Sequence, residues 1–251
     1  MTFETRESGG IAEVLMDHPP VNAFEPAQLR ELAGVMHGLS TDRSVRVVIL
    51  RSVTRGFCAG IDIKSLAEDP GAISSINRAA FSAFEAIHHC RAPVIAAVHG
   101  YALGAGLAMV GASDIVFAAE GTKFGLPEIN VGMLGGASHA LRLLPLQKVR
   151  RMYYTGEPIL ADEMYRLGAV ERVVPVDDLP AVALELATTI ASKGPRGLEF
   201  AKEAMNAIET VDLEKNYRHE QGYTFEISHL AEGLESRAAF REGRAPRYED
   251  L

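Results

Sequence analysis

Glu128 stands alone as a carboxylate among apolar neighbours, in Phe124-Gly125-Leu126-Pro127-Glu128-Ile129. Taking water away from a carboxylate penalises its charged form, raises its pKa and suits it to acid/base work near neutrality. The same stretch also reads as a surface loop carrying a solvated acid. Two glycine-rich loops offer a second kind of chemistry: Arg55-Gly56-Phe57-Cys58-Ala59-Gly60-Ile61-Asp62-Ile63-Lys64 and His99-Gly100-Tyr101-Ala102-Leu103-Gly104-Ala105-Gly106-Leu107. Each follows an apolar run and precedes a helical pattern, so each would present unpaired N–H groups at a positive helix end. Such groups hold an anion or a developing oxyanion. Turns that need glycine only for their backbone geometry would leave the same pattern. Neither loop is a nucleotide site, since Gly104-x-Gly106 lacks a third glycine three residues on and no Gly-Lys-Ser/Thr occurs.

These loops need elements to hold them. Ala12–Asp17 alternates weakly and predicts a strand that ends at His18-Pro19-Pro20. Pro26, then Leu29, Leu32, Ala33 and Met36, predicts a helix with one apolar face. Val45–Leu50 and Pro93–Val98 are β-branched apolar runs of buried-strand type, and Ile115–Ala118 and Lys123–Gly125 read as short strands. Between them Ile73, Ile76, Ala80, Phe81, Phe84 and Ile87 fall at helical spacing. From about Asp177 to Phe240 the pattern is helical, with breaks at Gly194-Pro195 and Gly233. The expected fold is an α/β core over 1–194 followed by a helical C-terminal region over 195–251.

Composition narrows the function. With 251 residues, 47% of them hydrophobic and 23% charged, the chain has ordinary globular make-up. A net charge of −8 argues against nucleic acid, and no apolar run reaches the ~18 residues of a membrane span. Near the start, Glu4, Arg6 and Glu7 interrupt any charged-then-apolar export pattern, so the expected location is the cytoplasm. Cys58 and Cys90 are too few for a disulfide framework and match no zinc spacing; both are expected as packed thiols.

Taken together, five segments resemble the crotonase (enoyl-CoA hydratase/isomerase) superfamily. They are Val21-Asn22-Ala23-Phe24, Phe57–Lys64, Pro93–Gly100, Leu103–Gly106 and Phe124–Glu128, in order and in register from about Val14 to Phe240. The resemblance implies a spiral of ββα units closed by C-terminal helices that build trimers or dimers of trimers. It implies an acyl-CoA thioester as substrate, with coenzyme A entering as part of that substrate and no separate cofactor or metal. It places oxyanion donors at the main-chain N–H groups of Ile61 and Ala105, and the acid/base at Glu128. It puts Ala23, Ala59, Ile61, Asp62, Lys64, Gly104 and Phe240 along the CoA path, Phe240 through a neighbouring subunit; Lys64 reads equally as a surface lysine.

One position departs from the pattern. Hydratases of this family carry a glutamate shortly after the glycine-rich triplet, where this chain has Ala108. Addition of water normally uses both carboxylates. A single Glu128 suits proton transfer between carbons, as in the family's isomerases, or water attack on a ring ketone with retro-Claisen cleavage. Further likeness at Pro19–Ala23, Gly135–His139 and Tyr217–Glu226 points to an actinobacterial subgroup that includes a steroid-ring-opening CoA hydrolase. His139 then either assists Glu128 or is a helix-start histidine bonded locally. Glu220 and Glu226 are expected to be solvated or at a subunit contact. The leading expectation is an enzyme of hydratase/isomerase type. C–C bond hydrolysis is the alternative, and a non-catalytic binding protein is a third reading.

Overall fold

The computed structural model describes residues 2–63 and 72–248. Its frame is a six-stranded sheet of β1 (Phe3–Ser8), β2 (Ile11–Met16), β4 (Val47–Ser52), β6 (Val94–Val98), β8 (Ile115–Ala119) and β11 (Arg172–Val174), adjacent in that order. β1 runs antiparallel to β2 and every other pairing is parallel. Parallel strands are covered on both faces, so they read as continuous apolar runs whose alternate residues part to opposite sides. Val48, Leu50, Val94, Ala96 and Val98 belong to one core, and Val47, Ile49, Ile95 and Ala97 to another.

The first face is covered by α1 (Pro26–Thr41), α2 (Ala72–His88) and α3 (Ala105–Ala112), the second by α7 (Leu179–Ala191). Pro26 opens α1 behind a capping box between Glu25 and Gln28, and Leu29, Leu32, Ala33, Met36 and Leu39 face inward. The remaining strands serve the loops. β3 (Ala23–Phe24) pairs with β5 (Gly60–Ile61), while β7 (Tyr101–Leu103), β9 (Lys123–Gly125) and β10 (Ile159–Leu160) form a small sheet. Short helices α4 (Ala137–Leu143), α5 (Leu146–Thr155) and α6 (Ala161–Arg166) follow the Glu128 segment.

The C-terminal helices α8 (Pro195–Ile208), α9 (Leu213–His229) and α10 (Ala231–Glu242) lie against this frame. Lys202 of α8 pairs with Asp114 at 2.5 Å, and Tyr217 of α9 enters the main core. Two expectations need correction. The strand predicted from Val45 starts at Val47, because its partner β2 begins only at Ile11, after the Gly9-Gly10 turn. Gly233 does not break a helix; it lies in the first turn of α10. A Cβ on Gly233 would stand 2.0 Å from the Ile227 carbonyl oxygen, so this glycine serves close packing, and the chain breaks instead at Leu230. No helix among the described residues is long and apolar enough to cross a membrane.

Candidate active site

The two glycine-rich loops are stitched together by main chain. Phe57 and Cys58 donate to the Tyr101 carbonyl at 3.0 and 3.1 Å, and Leu103 donates to the Cys58 carbonyl at 2.9 Å. Asn22, fully buried at φ 52°, holds the first loop from behind. Its amide donates to Ser52 Oγ at 2.8 Å and to the Phe57 carbonyl at 2.9 Å, while its Oδ1 accepts from the His18 N–H at 2.8 Å. A left-handed backbone is tolerated by Asn, and these three side-chain hydrogen bonds explain why this type sits there. Sequence reasoning had used Asn22 only as part of a likeness.

Gly60 turns at φ 106°, and a Cβ there would lie 3.2 Å from the Leu103 carbonyl and 3.8 Å from the Ala105 nitrogen. Backbone thus meets backbone where Ile61 and Ala105 line one recess. Ala105 is the first residue of α3, so its N–H has no partner within the helix. Gly104 turns at φ 53°; a Cβ there would stand 2.5 Å from Glu128 Oε1. Its own N–H donates to the Gly125 carbonyl at 2.9 Å, which draws the second loop onto the Glu128 segment.

Glu128 sits in a 3₁₀ turn, Pro127–Val131, that ends on Gly132 in left-handed conformation. Part of the residue reaches the surface, but Oε2 is buried and has no hydrogen-bond partner. Burial pushes its pKa up to about 8; a bond to its own backbone opposes the shift and the nearby Glu220 charge adds to it. The recess around it is walled by Ile76, Asn77, Ala80 and Phe84 of α2, Ala108 of α3, the 133–136 turn, and Tyr217 and Thr224 of α9. Glu128 is the one carboxylate among the described residues that line it. Ala108 is buried, and Gly136 packs near it: a Cβ on Gly136 would lie 4.0 Å from the Ala108 methyl.

Of the residues singled out from sequence, Glu128, Ile61, Ala105, Gly104 and Ala108 come together here. Ala23, Ala59 and Asp62 are each half-buried and do not line the recess, with Ala23 opposite Gly60 in the β3–β5 pair. Lys64 falls outside the described residues. Phe240 lies on α10, 56% exposed and away from the recess.

His139 does not join Glu128. It packs edge-on between Phe84 and Tyr217, with ring centroids 5.1 and 4.9 Å away, and lines a neighbouring cavity with Glu85, His88 and His89. Nor is it bonded locally, since its Nδ1 has no partner. Burial, and then the Arg142 charge, push its pKa down to about 3, so the ring is neutral. Glu220 is not solvated: its carboxylate accepts from the Ala137 N–H at 2.9 Å, the Ser138 N–H at 2.6 Å and the Ser138 hydroxyl. Only the i, i+3, i+4, i+7 spacing of Tyr217, Glu220, Gln221 and Thr224 hinted at a common buried face. Cys58 and Cys90 are free and buried, and burial pushes the Cys58 thiol up to about 12, so it stays protonated.

Known proteins resemble this chain over nearly its whole length. The family model described as Enoyl-CoA hydratase/isomerase matches residues 6–251. A Rhodococcus jostii protein named (7aS)-7a-methyl-1,5-dioxo-2,3,5,6,7,7a-hexahydro-1H-indene-carboxyl-CoA hydrolase is 40% identical over 97% of this chain and 95% of its own. A Mycobacterium tuberculosis protein of the same name is 41% identical over 94% and 96%. Carnitinyl-CoA dehydratase of Proteus mirabilis is 32% identical over 96% and 95%. Among solved structures, an enoyl-CoA hydratase/isomerase from Pseudoalteromonas atlantica superposes with a TM-score of 0.88 at 25% identity, covering 99% of this chain and all of the other. Matched over nearly its whole length, this chain belongs to the enoyl-CoA hydratase/isomerase (crotonase) family of acyl-CoA enzymes.

Proposed function

We propose that this enzyme hydrolyses a carbon–carbon bond in a cyclic β-keto acyl-CoA by a retro-Claisen route. The observation that carries the reading is the single carboxylate of the recess, Glu128, facing an acyl space widened by Ala108. Hydration of a double bond asks for two proton-handling groups at once. Ring opening asks for one group used twice, first as base and then as acid.

In the proposed sequence, the Glu128 carboxylate takes a proton from water as the water oxygen adds to the ring ketone. The adduct collapses, the bond from the former ketone carbon to the thioester α-carbon breaks, and its electron pair moves into the thioester as an enolate. The enolate oxygen rests on the N–H groups of Ile61 and Ala105. Protonated Glu128 then returns its proton to the α-carbon. One water is consumed, the ketone carbon becomes a carboxylic acid, and the CoA thioester survives. Each oxyanion donor is worth ~3 kcal/mol in such sites. A carboxyl group near pKa 8 gives and takes a proton at comparable cost near neutrality. The dioxo bicyclic CoA ester in the name of the 40–41% identical relatives supports this class of substrate.

Ala23, Ala59, Asp62, Lys64 and Gly104 are proposed along the CoA path, with Phe240 reaching a neighbouring subunit in a trimer or dimer of trimers. Exposed Phe200, Met205, Ile208 and Phe240 on the C-terminal helices support such an assembly. The helical C-terminal region is proposed to divide from the core at 194/195, where α8 begins. The dehydratase relative keeps hydratase or isomerase activity as the second reading.

The test offers a bicyclic β-diketone CoA ester and crotonyl-CoA separately, in heavy-oxygen water. Ring opening with label in the new carboxylate is the expected result. Fast hydration of crotonyl-CoA without ring opening would replace this proposal by the second reading.

A further inference from the structure

The acyl end of the recess is closed by one face of α9, and each polar residue on that face is tied to a different wall. Gln221 donates to the Asn77 carbonyl at 2.6 Å, and Asn77 answers at 3.3 Å, which joins α9 to α2. The Thr224 hydroxyl donates to the Leu134 carbonyl. Glu220 receives both leading N–H groups of α4 and the Ser138 hydroxyl. Between these anchors lie Gly135 and Gly136, at φ 152° and 80°, with no side chains of their own to hold the turn. Their other anchor is the Tyr153 hydroxyl, which accepts from the Gly135 N–H at 3.2 Å.

We propose that Glu220 is a positioning residue whose grip on Ala137 and Ser138 seats the Gly135-Gly136 turn against Ala108 and so shapes the acyl end of the recess. The inference rests on reading that recess as the acyl site. A carboxylate at the start of a helix satisfies amides that have no partner within it and is favoured by the helix dipole. Glu220 is not among the residues lining the recess, so it acts through the turn rather than on substrate. It also acts at a distance on Glu128, whose proton its negative charge helps to retain. The titratable groups around this pair are Tyr153 on α5 and Tyr217 and His219 on α9.

The test compares Glu220→Gln, Glu220→Ala and Ser138→Ala in the full chain. Residue-resolved amide exchange of 134–138 reads the turn, and binding of acetoacetyl-CoA, followed by the near-ultraviolet band of its enolate, reads the site without turnover. In Glu220→Ala, exchange at Ala137 and Ser138 should quicken roughly tenfold, as expected for a lost cap, and acetoacetyl-CoA should bind more weakly. The pH midpoint of turnover should fall in both Glu220 variants, which lose the charge beside Glu128, and hold in Ser138→Ala, which keeps it. Unchanged exchange and an unchanged midpoint in a folded Glu220 variant would overturn the proposal. Should Glu220→Ala fail to fold, Glu220→Gln and Ser138→Ala decide. Exchange and probe binding that respond while no ring opens would leave the proposal standing and remove the hydrolase reading instead.

Discussion

At one end of the recess Gly60–Ile61 lies against Gly104–Ala105, backbone on backbone; at the other end Glu128, Tyr217, Thr224 and the 133–136 turn close around Ala108. The first end depends on the absence of side chains. Glycines at φ 106° and 53° let two loops touch, and the residues that follow them, Ile61 and Ala105, need no special chemistry. The second end depends on which side chains are present. On the reading proposed above, Ala108, at the place where the resemblance expects a second glutamate, changes what reaction is feasible without disturbing the loops. The backbone end can therefore stay as it is while the side-chain end varies, because the two ends answer to different features of the chain.

This contrast can be broken most severely at the point where the two ends touch. Gly104→Ala forces a Cβ to within 2.5 Å of Glu128 Oε1 from a left-handed backbone. It should cost roughly 1,000-fold in kcat/KM by disturbing an oxyanion donor and the acid/base together, measured by steady-state kinetics. Glu128→Gln touches only the side-chain end. It should lower turnover by about 100-fold or more while CoA-thioester binding persists. Unchanged turnover would remove Glu128 from the chemistry.

Ala108→Glu sharpens the comparison by restoring a second carboxylate to the side-chain end. Hydration of crotonyl-CoA should rise by roughly tenfold or more while ring opening falls. A rise in neither rate would mean that the shape of the recess, rather than its carboxylate count, selects the reaction.

The pH dependence follows from the burial of Glu128. Its base form accumulates as pH rises through about 8, so kcat/KM should climb to a plateau above that value, and the climb should vanish in Glu128→Gln. Stability runs the other way. A raised pKa means that the folded state holds the proton more tightly, so stability is lost as pH rises from about 4.5 through about 8. Thermal melting of Glu128→Gln should lack that loss.

The smallest effect on turnover is expected at His139, which lies outside the recess. His139→Phe should change kcat/KM by less than about threefold, because packing alone is altered. His139 and His88 are both held neutral, with pKa values pushed down to about 3 from 6.5. Their contribution to stability is therefore lost as pH falls from about 6.5 toward 3, and His139→Phe should melt with a weaker acid dependence.

Much of the frame was legible because its signals are local. Buried parallel strands must be apolar throughout, so Val94–Val98 announces itself, and α1 carries Pro26 with a regular apolar face. The two loops were legible because glycine at a fixed place after a strand is a backbone requirement that few other residues satisfy. Of the three-residue strands, Lys123–Gly125 was legible while Tyr101–Leu103 and Arg172–Val174 were not, since so short a run carries no period and is fixed by pairing with distant partners.

What the amino-acid sequence determined by itself was the class of site: two glycine loops and one glutamate, with Ala108 where the resemblance expects a second. Only the tertiary structure decided the environment of each titratable group. Glu128 lies between Pro127 and Ile129 and Glu220 between His219 and Gln221, yet neither local setting tells a buried acid/base from a helix anchor. His139, read from sequence as a possible partner of Glu128, is turned away behind Phe84 and Tyr217. The reason is physical: a pKa and a hydrogen bond depend on what lies within a few ångströms, and in this chain those neighbours come from residues as far apart as 82 and 83 positions.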